Sequence, residues 1–220
     1  MNLPFSQAQF FEVFAAYNLA LWPAQVALNA LAMAMLAVVL WAPRRAGRLV
    51  SWGLALLWTW LALAYHLAFF WNINPAAPFF AAVSLVAAMA FAWQGGIRGA
   101  LQFQPDLSAR SVAGLILIVF ALLAYPAIGA YIGHRYPASP TFGLPCPTTL
   151  FTFGLLLMAA PNLPKVVVLA PLAWALIGST AALALGVSED LGLVVVAALG
   201  LYMLLRRSAS TGDSPQIPQP

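Results

Sequence analysis

Cysteine is nearly absent: Cys146 is the only one in 220 residues, which excludes an intramolecular disulfide and any CxxC-type zinc or redox centre. Charge is almost as scarce. Charged residues make up 6% of the chain, where a soluble domain carries about a quarter. HExxH and GxSxG motifs are missing, as is any pair of histidines one helical turn apart, so the usual signatures of metalloproteases and serine hydrolases do not apply. The first twenty residues hold no Lys or Arg and no small-residue cleavage site behind a basic stretch. No removable signal is therefore expected, and the first span serves as its own insertion signal.

What is present is apolar. Hydrophobic residues make up 64% of the chain, in helix-length runs separated by short polar breaks, and lipid is the natural solvent for such a surface. The expected fold is all-α, a polytopic membrane helix bundle of about seven transmembrane helices plus an N-terminal interfacial helix. The expected partner is the bilayer. The formal charge of +4 reflects loop charges on one side of the membrane rather than a nucleic-acid footprint, and no nucleic-acid partner is expected.

Ser6 with Gln9 forms a capping-box pattern, and Phe10, Phe11, Phe14, Tyr17 and Leu21 recur at helical spacing opposite Gln9 and Glu12. Residues 1–22 are accordingly an extracytoplasmic segment, with a helix over 6–21. The transmembrane domain covers 23–207, with spans at 23–41, 50–71, 76–93, 112–132, 148–160, 166–185 and 191–205. A basic loop at Arg44, Arg45 and Arg48 separates the first two. Trp22, Trp41, Trp52, Trp71 and Trp93 mark span ends as an aromatic belt would. The polar, proline-rich stretch 208–220 is expected to be a disordered cytoplasmic tail.

Orientation follows from the basic residues. With seven crossings and the N-terminus outside, Arg44, Arg45, Arg48, Arg98, Arg110, Lys165, Arg206 and Arg207 lie inside and only Arg135 outside. Were the short run 148–160 not a crossing, that bias would vanish. The run is therefore expected to cross.

This topology gathers reactive side chains at the outer side: His66, His134, Cys146, Glu189, Asp190 and, in the interfacial helix, Glu12. Imidazole, thiolate and carboxylate together suit zinc or copper, with His66, His134 and Cys146 as ligands. The alternative is packing: histidines bonded to neighbouring helices, a small buried thiol, and two acids at a helix start. The loop GHRYPASPTFGLPCPTT, rich in proline, has non-helical backbone that must be buried or line a cavity. Pro147 suits a first helical position, making Cys146 the cap of span five and a candidate nucleophile or soft-metal ligand. Arg135, Tyr136, Thr148 and Thr149 beside it are candidate contacts for an anion at the same helix end.

The stretches GHRYPASPTFGLPCPTTLFTFG, YHLAFFWNINPAA and EDLGL resemble a bacterial family of integral membrane proteins, domain-of-unknown-function family six-zero-six-four. The likeness runs from FFEVFAAYN to the last span, and Pro-Cys-Pro-Thr-Thr is its most specific part. The resemblance implies a bacterial inner-membrane location and assigns no activity or catalytic residues.

Three functions fit these residues. The first is a permease-like or ligand-binding protein that handles a small solute or thiophilic metal ion at the outer cluster. The second is a membrane-embedded metal-dependent hydrolase or transferase using both histidines and a carboxylate. The third is an accessory subunit without its own substrate.

Overall fold

The computed structural model describes residues 3–205. Arg206, Arg207 and the tail expected at 208–220 lie outside the described residues, as does the Glu189 side chain. The fold is all-α: among the described residues the only β pairings are isolated bridges, Phe103 with Ala159 and Phe142 with Leu144. The described residues form eight helices in order: α1 Gln7–Ala20, α2 Ala24–Trp41, α3 Pro43–Asn72, α4 Ala77–Ile97, α5 Ala109–Tyr131, α6 Pro145–Met158, α7 Val166–Leu185 and α8 Gly192–Leu205. Five of them, α2 to α5 and α7, are long and apolar enough to cross a membrane, and α6 and α8 are shorter apolar helices.

α1 starts as its sequence predicts. The Ser6 side chain accepts from the Gln9 N–H at 3.3 Å, and Gln9 Oε1 accepts from the Ser6 N–H at 2.8 Å. Two otherwise orphaned donors are thereby satisfied. Phe10, Phe14 and Tyr17 turn into the bundle while Gln9 and Glu12 stay exposed. Gln7 reaches across to the Leu185 carbonyl at 2.9 Å, tying α1 to the end of α7.

Two of the boundaries that differ from expectation are helix starts at proline. α3 begins at Pro43 rather than near residue 50, so the three arginines lie in its first turns instead of a loop. Proline suits a first helical position and arginine is a good helix former, so nothing local delays the helix. α6 begins at Pro145, with Leu144 as its N-cap; Cys146 is the second helical residue and not the cap. Both Pro145 and Pro147 fall among the positions whose N–H has no intrahelical partner, so neither breaks the helix.

α6 is the centre of the bundle, buried along almost its whole length. It runs from the 142–144 bridge at the α1 end to the opposite end. There Ala160 N–H donates to the Gln102 carbonyl at 2.7 Å, and Gln104 N–H to the Met158 carbonyl at 3.2 Å. Arg110 caps the same helix end by donating to the Leu156 carbonyl at 3.1 Å, a favourable place for a cation. α5 crosses α6 through Gly114 and Gly154, where the backbones touch directly.

Candidate functional site

The site is built by two local departures from α-helical geometry. Within α3, residues Leu61–Leu67 are π-helical and carry Tyr65 and His66. Within α5, Phe120–Ala124 are π-helical and lead into Tyr125, ahead of Pro126, which has no N–H to give to the ladder. Such inserted residues are frequent at functional sites because they re-aim side chains. Here they direct tyrosines toward the start of α6 and the α7–α8 connection.

Between these elements, at the end that carries α1, lies a cavity of about 170 Å³. Aromatic side chains from several elements line it, among them Phe10, Phe14, Tyr65, Phe70, Phe80 and Trp174. Its polar contributions come from Asn74, Tyr125, Cys146, Thr180 and Asp190. Asp190 is 4% exposed, and the Tyr125 hydroxyl donates to its Oδ1. A hydroxyl held on a carboxylate fixes the direction in which the remaining oxygen lone pairs point. Among the described residues that line the cavity there is one acid and no arginine or lysine.

The proline-rich loop is held against this cavity by α1. Asn18 is fully buried and donates to the carbonyls of Pro137 and Ser139 at 2.7 and 2.8 Å, while its Oδ1 accepts from Thr141 at 2.7 Å. Tyr17 accepts from Trp60 Nε1 at 2.7 Å and donates to the Gly143 carbonyl at 3.4 Å. Burial pushes the Tyr17 phenol up to about 12, with the Trp60 hydrogen bond pulling the other way. The hydroxyl thus stays protonated at neutral pH and keeps its donor role.

The residues predicted to cluster divide into two groups. Cys146 and Asp190 both line the cavity. His66 sits behind its wall, fully buried, with its ring centroid 4.9 Å from Trp174 and 5.9 Å from Phe80, and neither ring nitrogen has a hydrogen-bond partner. His134 lies elsewhere, its ring 4.1 Å from Phe11 on α1. Arg135 and Tyr136 are exposed, Tyr136 donating to the Asn18 carbonyl at 3.4 Å. Thr148 is buried in α6 and Thr149 bonds back to the Pro145 carbonyl at 2.8 Å. Two prolines remove two of the first-turn donors an anion would use there. Among the described residues no group of three His, Cys, Asp or Glu side chains is placed to hold an ion.

The model of a family of unknown function (DUF6064) matches residues 7–214. The chain belongs to that family. The match spans the loop, every helix described above and all of the cavity lining except Leu3 and Phe5. No curated protein and no solved structure matches the chain.

Tyr65, Tyr125 and Trp174 are the site residues that sequence reasoning missed. Trp174 carried a usable signal: unlike the five tryptophans at span ends, it falls in the middle of an apolar run, and its Nε1 is buried without a hydrogen-bond partner. An indole N–H in an apolar setting normally finds a partner, so its position by the cavity is informative.

Proposed function

We propose that the protein is a seven-crossing integral membrane protein of the bacterial inner membrane. Its N-terminus is extracytoplasmic and its C-terminus cytoplasmic. It acts as a permease-like or ligand-binding protein that takes a small organic molecule into the cavity beside Asp190. Apolar helices support the membrane setting, and the eight-to-one distribution of basic residues supports the orientation. The observation that carries the ligand reading is the aromatic cavity holding a buried, tyrosine-bonded carboxylate. Intramembrane acids are costly and mark ligand or ion paths by default. An organic ligand is favoured over a thiophilic metal, since Cys146 is the only thiol and the described residues hold no group of three His, Cys, Asp or Glu side chains placed for an ion.

Orientation is checked by labelling single added cysteines in a Cys146→Ser background. A cysteine at Arg135 is expected to react with an impermeant maleimide on intact cells, and one at Lys165 only after lysis. Equal labelling at both positions would remove the seven-crossing arrangement.

Ligand binding is tested by thermal unfolding of the purified protein with benzyl alcohol, benzylamine and benzoate, probes of similar size and different charge. At least one is expected to raise the unfolding midpoint. Ala181→Phe, which fills the cavity from α7, is expected to abolish that rise. If none of the three stabilises the protein, or the effect survives Ala181→Phe, the cavity is not a binding site.

A further inference from the structure

We propose that a groove at the arginine-bearing end of the bundle holds the headgroup of an anionic phospholipid, with preference for one that carries two phosphates. This inference rests on the membrane setting proposed above and is independent of the aromatic cavity.

The groove, of about 1050 Å³, lies at the end opposite α1 and gathers four exposed arginines from two helices: Arg44, Arg45 and Arg48 from the start of α3, and Arg98 from the turn after α4. Residues three and four apart share a helix face, which sets Arg48 beside both Arg44 and Arg45. Small residues bring the end of α4 against them. A β-carbon on Gly99 would stand 3.7 Å from Arg48 Nε, and one on Gly96 would stand 2.7 Å from Cε2 of the Trp52 ring. The segment that continues the groove, with Gln102 and Gln104, is fixed to the end of α6 by its backbone hydrogen bonds to Ala160 and Met158. The site is therefore formed before any ligand arrives.

Retention of basic residues on one face explains which end carries them. It does not explain why two helices deliver them to one groove. On its own the arrangement is unfavourable: like charges three and four apart repel, and the first turn of α3 has no acid to answer the positive end of the helix dipole. Among the described residues lining the groove there is no Asp or Glu. The nearest acid in sequence, Asp106, accepts from the Ser108 N–H at 3.1 Å. An anion offsets all of these repulsions together. Guanidinium groups bind phosphate oxygens through paired N–H donors, so four arginines match two phosphates. Leu40 and Leu49 line the same groove and are exposed, as are Trp41 and Trp52 near them in the chain. Acyl chains would continue from the headgroup onto this apolar surface, which a soluble phosphate would leave unused. Basic pockets between membrane helices on the cytoplasmic side are suited to such headgroups.

Native mass spectrometry of the full-length protein in detergent, titrated with cardiolipin and with phosphatidylcholine, tests this. Cardiolipin is expected to bind at least tenfold more tightly. Arg98→Gln is expected to lower cardiolipin affinity at least threefold, and Arg45→Gln together with Arg98→Gln at least tenfold. Lys165→Gln removes the same charge outside the groove and is expected to change affinity less than twofold. Equal affinity for the two lipids, or a loss in Lys165→Gln as large as that in Arg98→Gln, overturns the site. Displacement of cardiolipin by an equal concentration of inorganic pyrophosphate makes the groove a soluble-phosphate site, and displacement by a polyglutamate peptide makes it a site for an acidic segment; either result overturns the lipid assignment. The wild-type lipid preference is read without any variant and does not depend on the number of crossings. Failure of the seven-crossing arrangement would show in the cysteine labelling and not in this titration.

Discussion

Asn18→Ala is expected to destabilise the protein by about 2–4 kcal/mol, because one fully buried amide ties α1 to the proline-rich loop and to α2 at once. Its Nδ2 donates to Pro137 and Ser139, its Oδ1 accepts from Thr141, and Gln25 Nε2 adds a longer contact at 3.3 Å. Truncation orphans two loop carbonyls, the Thr141 hydroxyl and part of Gln25 together. Buried groups left without partners cost about 1–3 kcal/mol each, partly recovered when water enters. The loop so released leads directly into Leu144 and Cys146, so ligand binding is expected to weaken along with the unfolding midpoint. Chemical denaturation in detergent gives the first quantity and probe titration the second. A loss under about 0.5 kcal/mol, the scale of an ordinary surface change, would show that α1 does not organise the loop.

Gly154→Ala is expected to cost at least about 2 kcal/mol through overpacking. A β-carbon there would stand 2.8 Å from the Gly114 carbonyl oxygen and 2.6 Å from Ile118 Cγ1, and one on Gly114 would stand 2.6 Å from the Gly154 carbonyl oxygen. Backbone cannot rotate out of the way as a side chain does, so α5 and α6 must separate. Small residues at such crossings let apolar helices approach closely enough for dispersion to hold them. Because both substitutions force the same two helices apart, Gly114→Ala in the Gly154→Ala background should cost less than it does alone. Denaturation midpoints of the two single variants and the double variant decide it. Strict additivity, or a Gly154→Ala loss no larger than that of the exposed control Ile116→Ala, would contradict the direct contact.

The helices were legible because length and hydropathy are written residue by residue. Helix starts differ from expectation where one local signal outweighs another. Arginines at 44, 45 and 48 suggested a loop, although Pro43 lets a helix begin before them. Pro145 suggested a breaker, although helix starts tolerate proline. The candidate site was legible only in its charged and sulfur-bearing members, Cys146 and Asp190. Sharing an end of the bundle is not proximity, and the His134 ring is taken up by Phe11 instead. Tyr65 and Tyr125 were out of reach because an aromatic in an apolar run gives no sign of which way it faces. That direction is set by π-helical residues, which change the angular register without leaving a compositional mark.

At 1.5 Å per residue the fourteen residues of α6 extend about 21 Å, short of the ~30 Å of hydrocarbon in a typical bilayer. Buried on nearly all sides, this helix would meet its neighbours and not acyl chains in the proposed membrane setting, and thickness mismatch would fall only on the rods around it. In a bilayer, swapping lipid chain length would strain the perimeter and leave the middle indifferent. Trimming or extending a peripheral rod such as α2 would therefore shift lipid preference, whereas the same change in α6 would register only as a packing fault.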